Sequence, residues 1–244
     1  MVDKQAGINS YWDQRAESYH RDQQLRVGKG SIENFWYGQL LRVLPDSPLK
    51  ILDVGTGNGS WAMILATLGH RVTGIDLSAG MLKQAGAARQ KAQEQGHKFC
   101  YPPLFQQGDA MAPAYAPEQF DLVTNRYLMW TLLDPALALR NWYRLLKPGG
   151  MLLLVDAPWF KAGIAAQASK KFARFYHEQV RAALPLAEAK SLDPLLQFVQ
   201  DSPFQNVEVS ALPELLKLDR RLGVAAGHEP ELQYLLTAHK PSRY

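Results

Sequence analysis

A doubly wound α/β sheet with helical additions is the fold class this chain predicts. Short apolar runs alternate with segments of helical period, the pattern of a parallel sheet covered by helices on both faces. The first run ends in a glycine cluster, and the runs after it end in turn on polar residues. The chain divides accordingly into a helical cap over 1–45, an α/β core over 46–159, a helical insertion or lid over 160–203, and closing strands over 204–244.

Each element has its own signal. Tyr11 to His20 and Ile32 to Val43 read as helices ahead of the sheet. Leu49 to Val54 is a buried strand, and Ser60 to Leu68 a helix apolar on nearly every side, hence sandwiched. Gly69 stops that helix, Arg71 to Asp76 forms the second strand, and Ser78 caps a helix that Gly96 closes. A weak third strand, Leu104 to Gln107, ends at Gly108-Asp109; the fourth, Phe120 to Thr124, is clear. Asp134-Pro135 opens a helix with proline at its first position, and Leu139, Trp142 and Leu146 share one face. Lys147-Pro148-Gly149-Gly150 breaks it and feeds a fifth strand, Met151 to Val155. Beyond lie one helical stretch from about Gly163 to Leu184, another over 192–200, and strands at Val207 to Val209 and Gln233 to Thr237.

Composition narrows the function classes. The 244 residues carry 27 cations against 23 carboxylates, a surplus of +4 that falls well short of a nucleic-acid-binding stripe. A single cysteine, Cys100, excludes an intrachain disulfide and any multi-cysteine metal or redox motif. The longest clean apolar run, Met151 to Val155, is too short to cross a bilayer. The first thirty residues bear charges throughout and no apolar stretch, unlike a secretory leader. A cytoplasmic protein is expected, with no metal, no membrane and no nucleic acid as partner.

In an open α/β sheet, ligands bind beyond the carboxyl ends of the strands. Those ends here are Asp53 with Gly55, then Asp76, Asp109, Asn125-Arg126 and Asp156. Helix capping alone could place such residues; one ligand touching several strand tips explains the set more economically. The glycine turn Asp53-Val54-Gly55-Thr56-Gly57-Asn58-Gly59 lets backbone approach a ligand where a Cβ would intrude. Its third glycine is Gly59, so the dehydrogenase spacing G-x-G-x-x-G fails.

This D-x-G-x-G-x-G segment resembles the nucleoside-binding signature of class I S-adenosylmethionine-dependent methyltransferases. Gly74-Ile75-Asp76-Leu77-Ser78, Gly108-Asp109-Ala110, Phe120-Asp121-Leu122-Val123 and Leu145 to Gly150 are similar to that family's later elements, in order and spacing. Tyr11 to Tyr19 is similar to the opening helix of its small-molecule branch, which includes quinone-biosynthesis methyltransferases. The likeness covers roughly residues 10–157. It implies a Rossmann-like, mostly parallel seven-stranded sheet in order 3-2-1-4-5-7-6 with strand 7 antiparallel, S-adenosylmethionine as cofactor, and a small-molecule methyl acceptor. It also implies cofactor contacts from Asp53, Gly55, Thr56, Gly57, Asp76, Leu77, Met81, Gly108, Asp109, Ala110, Asn125 and Arg126, with Asp76 on the ribose hydroxyls and Asp109 on the adenine amine.

Physical chemistry agrees where it can be applied. One carboxylate grips a vicinal diol well, and Asp76 follows Gly55 by 21 residues, at the second strand's end. The ribose of a nicotinamide cofactor would be held the same way, so an oxidoreductase stays open at this point, as does a donor-binding protein without turnover. Asp53 could also brace the glycine turn, a role compatible with contact, direct or through water, to the cofactor's methionine end. Acceptor contacts fall to segments over the strand tips: Tyr11, Tyr19, Trp130, Asp156 and Trp159 as an acceptor wall, with His20, Tyr19 and Arg126 as candidate catalytic groups. His20 has base chemistry, and aromatic faces suit a sulfonium cation; solvated or core roles remain open for each. Arg126 reads either as an anchor for an acceptor carboxylate or phosphate, or as a salt-bridge partner of a site aspartate. Residues 161–190 hold six cations (Lys161, Lys170, Lys171, Arg174, Arg181, Lys190) against Glu178 and Glu188, a cap over an anionic substrate or a solvated helix face.

Overall fold

The computed structural model describes residues 4–27, 30–167, 169–224 and 229–243. Two helices, α1 (Lys4–Val27) and α2 (Ser31–Val43), precede β1 (Lys50–Val54). Then follow α3 (Ser60–Thr67), β2 (Arg71–Asp76), α4 (Ala79–Glu94), β3 (Leu104–Gln107) and β4 (Phe120–Arg126). A 3-10 turn at Met129–Thr131 leads to α5 (Pro135–Leu145) and β5 (Leu146–Asp156). The strands form one seven-stranded sheet in the order β3-β2-β1-β4-β5-β7-β6, with β6 (Gln205–Ala211) and β7 (Tyr234–His239). β1 to β5 run parallel, and β7 is antiparallel to both β5 and β6, as the family resemblance implies.

The two periodicities of the strands explain the layers. Successive strand residues point to opposite faces. Leu52, Val54, Leu152 and Leu154 therefore pack on one side with Leu139, Trp142 and Leu145 of α5. Ile51, Leu153 and Val155 pack on the other with Trp36 and Leu40 of α2 and Trp61 and Leu65 of α3. Trp142 is wholly buried, so its truncation to alanine would cost about 3–5 kcal/mol. The edge strands β3 and β6 are largely exposed, which is why their apolar pattern is faint in the sequence.

Two expectations need correction, and one helix had no counterpart in the sequence reading. Lys147-Pro148-Gly149-Gly150 does not lie ahead of the fifth strand but within it. Phe120 pairs with Leu146 and Leu122 with Met151, so these residues bulge inside β5, pinned where Gly149 N donates to Lys240 O at 3.0 Å. The stretch from Gly163 to Leu184 is not one helix but three short ones, α6 (Ile164–Gln167), α7 (Lys170–Phe175) and α8 (Glu178–Arg181). The Ser169 hydroxyl restarts the chain there by accepting from Phe172 N. The Lys170 side chain falls outside the described residues. After α9 (Asp193–Gln200), a further helix, α10 (Pro213–Leu222), occupies a region with no sequence expectation, although Pro213 stands at its first turn.

The front helix and the insertion share an aromatic core of their own. Tyr11 and Ile8 of α1 pack with Trp130, Phe160, Phe172 and Tyr176. The Tyr176 hydroxyl lies 3.1 Å from Trp12 Nε1 and 2.8 Å from Thr131 Oγ1, joining α1, the insertion and the turn after β4. Two of its members, Ile8 and Trp130, also line the space beyond the carboxyl ends of the strands.

Candidate functional site

The site begins at the turn after β1. Gly55, Gly57 and Gly59 all take positive φ, but for different reasons. A Cβ on Gly57 would meet nothing within 4 Å, so this backbone stands open toward the space above the sheet. A Cβ on Gly59 would lie 2.7 Å from the Phe105 ring and 2.8 Å from the Ala85 Cβ, so that glycine lets α4 and β3 close on the turn. Beneath the turn, Asp53 is 1% exposed and its Oδ2 accepts from the Thr56 hydroxyl at 2.6 Å. Its Oδ1 is buried without a hydrogen-bond partner. Burial pushes the Asp53 carboxyl up to about 7, against the Thr56 hydrogen bond and the nearby Arg126 charge.

Asp76, at the tip of β2, faces the open side of the same turn. Its Oδ2 accepts from Gly57 N and its Oδ1 from Ser78 N, both at 2.9 Å. Each oxygen keeps further lone-pair capacity directed elsewhere. Desolvation raises its pKa, offset by those backbone N–H groups. Ser78 in turn caps α4, accepting from Met81 N at 3.0 Å, as its sequence position predicts. Asp109, after β3, accepts from Met111 N at 2.8 Å.

Across the sheet, β4 ends in Arg126, and Tyr127 follows it. Arg126 Nη2 donates to Ser60 Oγ at 2.7 Å, and the guanidinium carbon stands 5.2 Å from the Trp61 ring centre. It forms no ion pair among the described residues, so the salt bridge to a site aspartate is not made. Tyr127 holds φ +66°, a conformation costly for a bulky side chain. Its N–H donates to Val155 O at 2.7 Å and its hydroxyl to Gln233 Oε1 at 2.6 Å. Gln233 Nε2 donates onward to the buried Asp219 at 2.7 Å.

These groups surround a cavity of about 1180 Å³, its mouth included. Of the residues expected to hold a cofactor, Gly55, Gly57, Asp76, Leu77, Met81, Gly108, Asp109, Ala110 and Arg126 line it. Tyr19, Trp130 and Trp159 line it too, with Trp12 from the same front helix as Tyr19. Asp53, Thr56 and Asn125 do not; they are buried beneath the rim. Asn125 Oδ1, like Asp53 Oδ1, is buried without a partner.

Three acceptor-side residues also stand off the cavity. Tyr11 is buried in the aromatic cluster, 4.9 Å from Phe172 between ring centres. Asp156 is a brace: Met129 N and Ala157 N donate to it at 2.9 Å, and Trp159 Nε1 at 2.6 Å, which orients the Trp159 ring. Burial pushes its carboxyl up to about 7 as well. His20 faces a second cleft of about 1430 Å³, bounded by α1, α2, α3 and α4. Burial, with the Lys91 charge, lowers the His20 pKa and so favours the uncharged ring.

Sequence reasoning missed Gln23, Asp219 and Gln233 at the cavity wall. Gln233 lies just before β7, and Asp219 lies on α10, the helix that had no expectation. Only the chain's return past the mouth brings either one near.

Comparison with known proteins places this geometry. The family model described as a methyltransferase domain matches residues 52–154. A demethylmenaquinone methyltransferase of Lactiplantibacillus plantarum is 27% identical over 236 residues, spanning 91% of this chain and 94% of that protein. A malonyl-[acyl-carrier protein] O-methyltransferase of Erwinia pyrifoliae is 31% identical over 201 residues, spanning 77% and 69% respectively. Among solved structures, a phosphoethanolamine N-methyltransferase of Haemonchus contortus in complex with S-adenosyl-L-methionine shares the fold at a TM-score of 0.65 and 19% identity, over 94% of this chain and 57% of that one.

Proposed function

The chain belongs to the S-adenosylmethionine-dependent methyltransferases, and from that premise we propose that it transfers the donor's methyl group to a small-molecule acceptor inside the first cavity. The observation that carries this reading is the union, in one cavity, of Gly57, Asp76 and Asp109 on one side with Trp12, Tyr19 and Trp159 on the other.

The residues present fit the donor. Gly57 offers open backbone, with nothing of the protein within 4 Å of where a Cβ would stand, so a ligand can approach it closely. Asp76 already accepts one backbone N–H on each oxygen, and its remaining lone pairs suit two adjacent hydroxyls. Asp109 accepts one backbone N–H and has capacity for an exocyclic amine. Leu77, Met81 and Ala110 supply the apolar faces for a purine between them. Asp53 supports the reading from below: its Oδ2, accepting from the Thr56 hydroxyl, braces the turn that presents Gly57.

Bound there, the donor supplies a methyl group already activated by a cationic sulfur. The chain's own work is then orientation and exclusion of water, which for well-aligned reactants is worth about 7–11 kcal/mol. Trp12, Tyr19 and Trp159 present faces that favour a cation and shut out water. Asp156 fixes Trp159, and the Tyr176 hydroxyl fixes Trp12. The relatives' names include both O- and N-methylation, so the acceptor atom follows from the acceptor's own chemistry rather than from the fold.

Calorimetry with S-adenosylhomocysteine tests this directly. Binding in the micromolar range is expected, and Asp76→Ala should weaken it by about tenfold or more, since hydrogen bonds to a charged group are worth about 1.5–3 kcal/mol. Silence with that ligand beside clear binding of NADH would overturn the proposal. Incubation with labelled donor and a metabolite extract then reveals the acceptor.

A further inference from the structure

The two clefts are neighbours. They share Gln23, Arg126 and Tyr127 in their linings, so these residues stand between the donor's space and the second cleft. The second cleft has an electrostatic bias. Lys91 and Arg126 line it, beside the imidazoles of His20 and His97, against one carboxylate, Glu33. Burial raises the Glu33 pKa, with His97 acting in the opposite sense.

Arg126 stands where the clefts meet, and its geometry is set in advance. Trp61 and Trp36 flank the guanidinium, with ring centres at 5.2 and 5.7 Å from its central carbon. Ser60 Oγ accepts from Nη2 at 2.7 Å. A guanidinium carries five N–H donors, yet no carboxylate of the described residues comes within ion-pair distance of this one. From Arg126 a polar line continues along the second cleft. Ser60 N donates to Asn58 Oδ1 at 3.3 Å, and Asn58 Nδ2 lies 3.4 Å from His20 Nδ1. A cation pre-oriented by aromatic rings and left without an anion suits a planar or tetrahedral anion supplied by a ligand.

We propose that the second cleft is the chamber for the anionic part of the methyl acceptor, a carboxylate or phosphate that Arg126 meets where the two clefts join. The inference rests on the methyl-transfer reading above and names the substrate class of that same site. It separates two jobs between adjoining spaces: the first cavity holds the donor and the reacting atom, and the second holds the charge that orients the acceptor.

The test loads the protein with S-adenosylhomocysteine and titrates it with benzoate, phenyl phosphate and the neutral benzamide. One or both anions should bind at least about tenfold tighter than benzamide, the factor expected for charge-assisted hydrogen bonds; which of the two binds distinguishes carboxylate from phosphate. Arg126→Met should abolish that preference. Lys91→Met, on an exposed side chain of α4, should reduce it several-fold with the fold untouched. Equal binding of all three probes, with the donor product still bound, would overturn the chamber and leave the methyl-transfer reading in place. A second arm compares S-adenosylhomocysteine with methylthioadenosine, which lacks the amino-acid carboxylate. If Arg126→Met weakens the first and spares the second, Arg126 serves the donor's own carboxylate, and the acceptor assignment falls. If S-adenosylhomocysteine fails to bind the native protein at all, the methyl-transfer reading falls and takes this one with it.

Discussion

Gly57 and Gly59 stand two positions apart and share a backbone handedness, yet they meet different surroundings. Replacing either with alanine costs about 1–2 kcal/mol for a left-handed residue with a Cβ. Gly59→Ala adds about 1–3 kcal/mol of overpacking against Phe105 and Ala85. Urea unfolding should therefore rank Gly59→Ala as the less stable variant. Calorimetry should find the larger loss of S-adenosylhomocysteine affinity, relative to stability lost, in Gly57→Ala. The reverse ranking would mean that the open side of the turn is not the ligand side. Asp53 gives a pH signature at the same scale. Its folded value near 7 lies above that of an unfolded aspartate, so the buried proton stabilises the fold fully below about pH 4, and that stability is lost as pH rises toward 7. Asp53→Asn removes the titration. The decline of unfolding free energy between about pH 5 and pH 7 should then become shallower by up to about 1.4 kcal/mol per pH unit. An unchanged slope would show that the carboxylate is already charged in the folded protein.

At the scale of elements, the cap is held by hydroxyl bridges as well as by ring packing. Tyr176 is wholly buried, and burial drives its phenol well above the usual tyrosine range. Its hydroxyl is thus a fixed neutral partner for Trp12 and Thr131. Tyr176→Phe keeps the ring stack on Phe172 at 4.2 Å and removes only those two bonds. We expect a loss of about 1–2 kcal/mol, felt locally. Hydrogen exchange should quicken in α1 and in α6 to α8 while the sheet strands keep their protection. Uniform quickening through the sheet would instead make the cap and the core one cooperative unit. The insertion's sequence shows its cations plainly and its breaks poorly, because Ser169 restarts the helix through a hydroxyl cap that is only one reading of an exposed serine.

For the whole molecule, ligand and fold are linked through the cap. The cavity takes its walls from α1, the strand tips, the insertion's flank and the segments around α10 and β7. A ligand there ties segments from both ends of the chain. S-adenosylhomocysteine at about one hundred times its Kd should stabilise the folded state by about 2.7 kcal/mol. For a chain of this size, that corresponds to a rise in Tm of about 5–10 °C. A thermal melt that does not move at saturation would contradict binding to the folded state.

The sequence by itself determined the parallel strands, their helices and the acids at their tips. Those features are local: an apolar run, a glycine where φ must be positive, a serine or aspartate at a helix start. Asp76, Asp109, Gly55 and Gly57 were legible for that reason, and the tertiary structure brings them to one cavity. Asp53, Tyr11 and Asp156 were legible as polar or aromatic residues near the tips, but whether each faces the space or braces it depends on neighbours distant in sequence. Only the tertiary structure decided that Asp219 and Gln233 return to the mouth, that Arg126 stands between two clefts, and that His20 faces the second one. The physical reason is that hydrophobic periodicity fixes which side of an element is buried, whereas the lining of a cavity is set by which elements pack against one another.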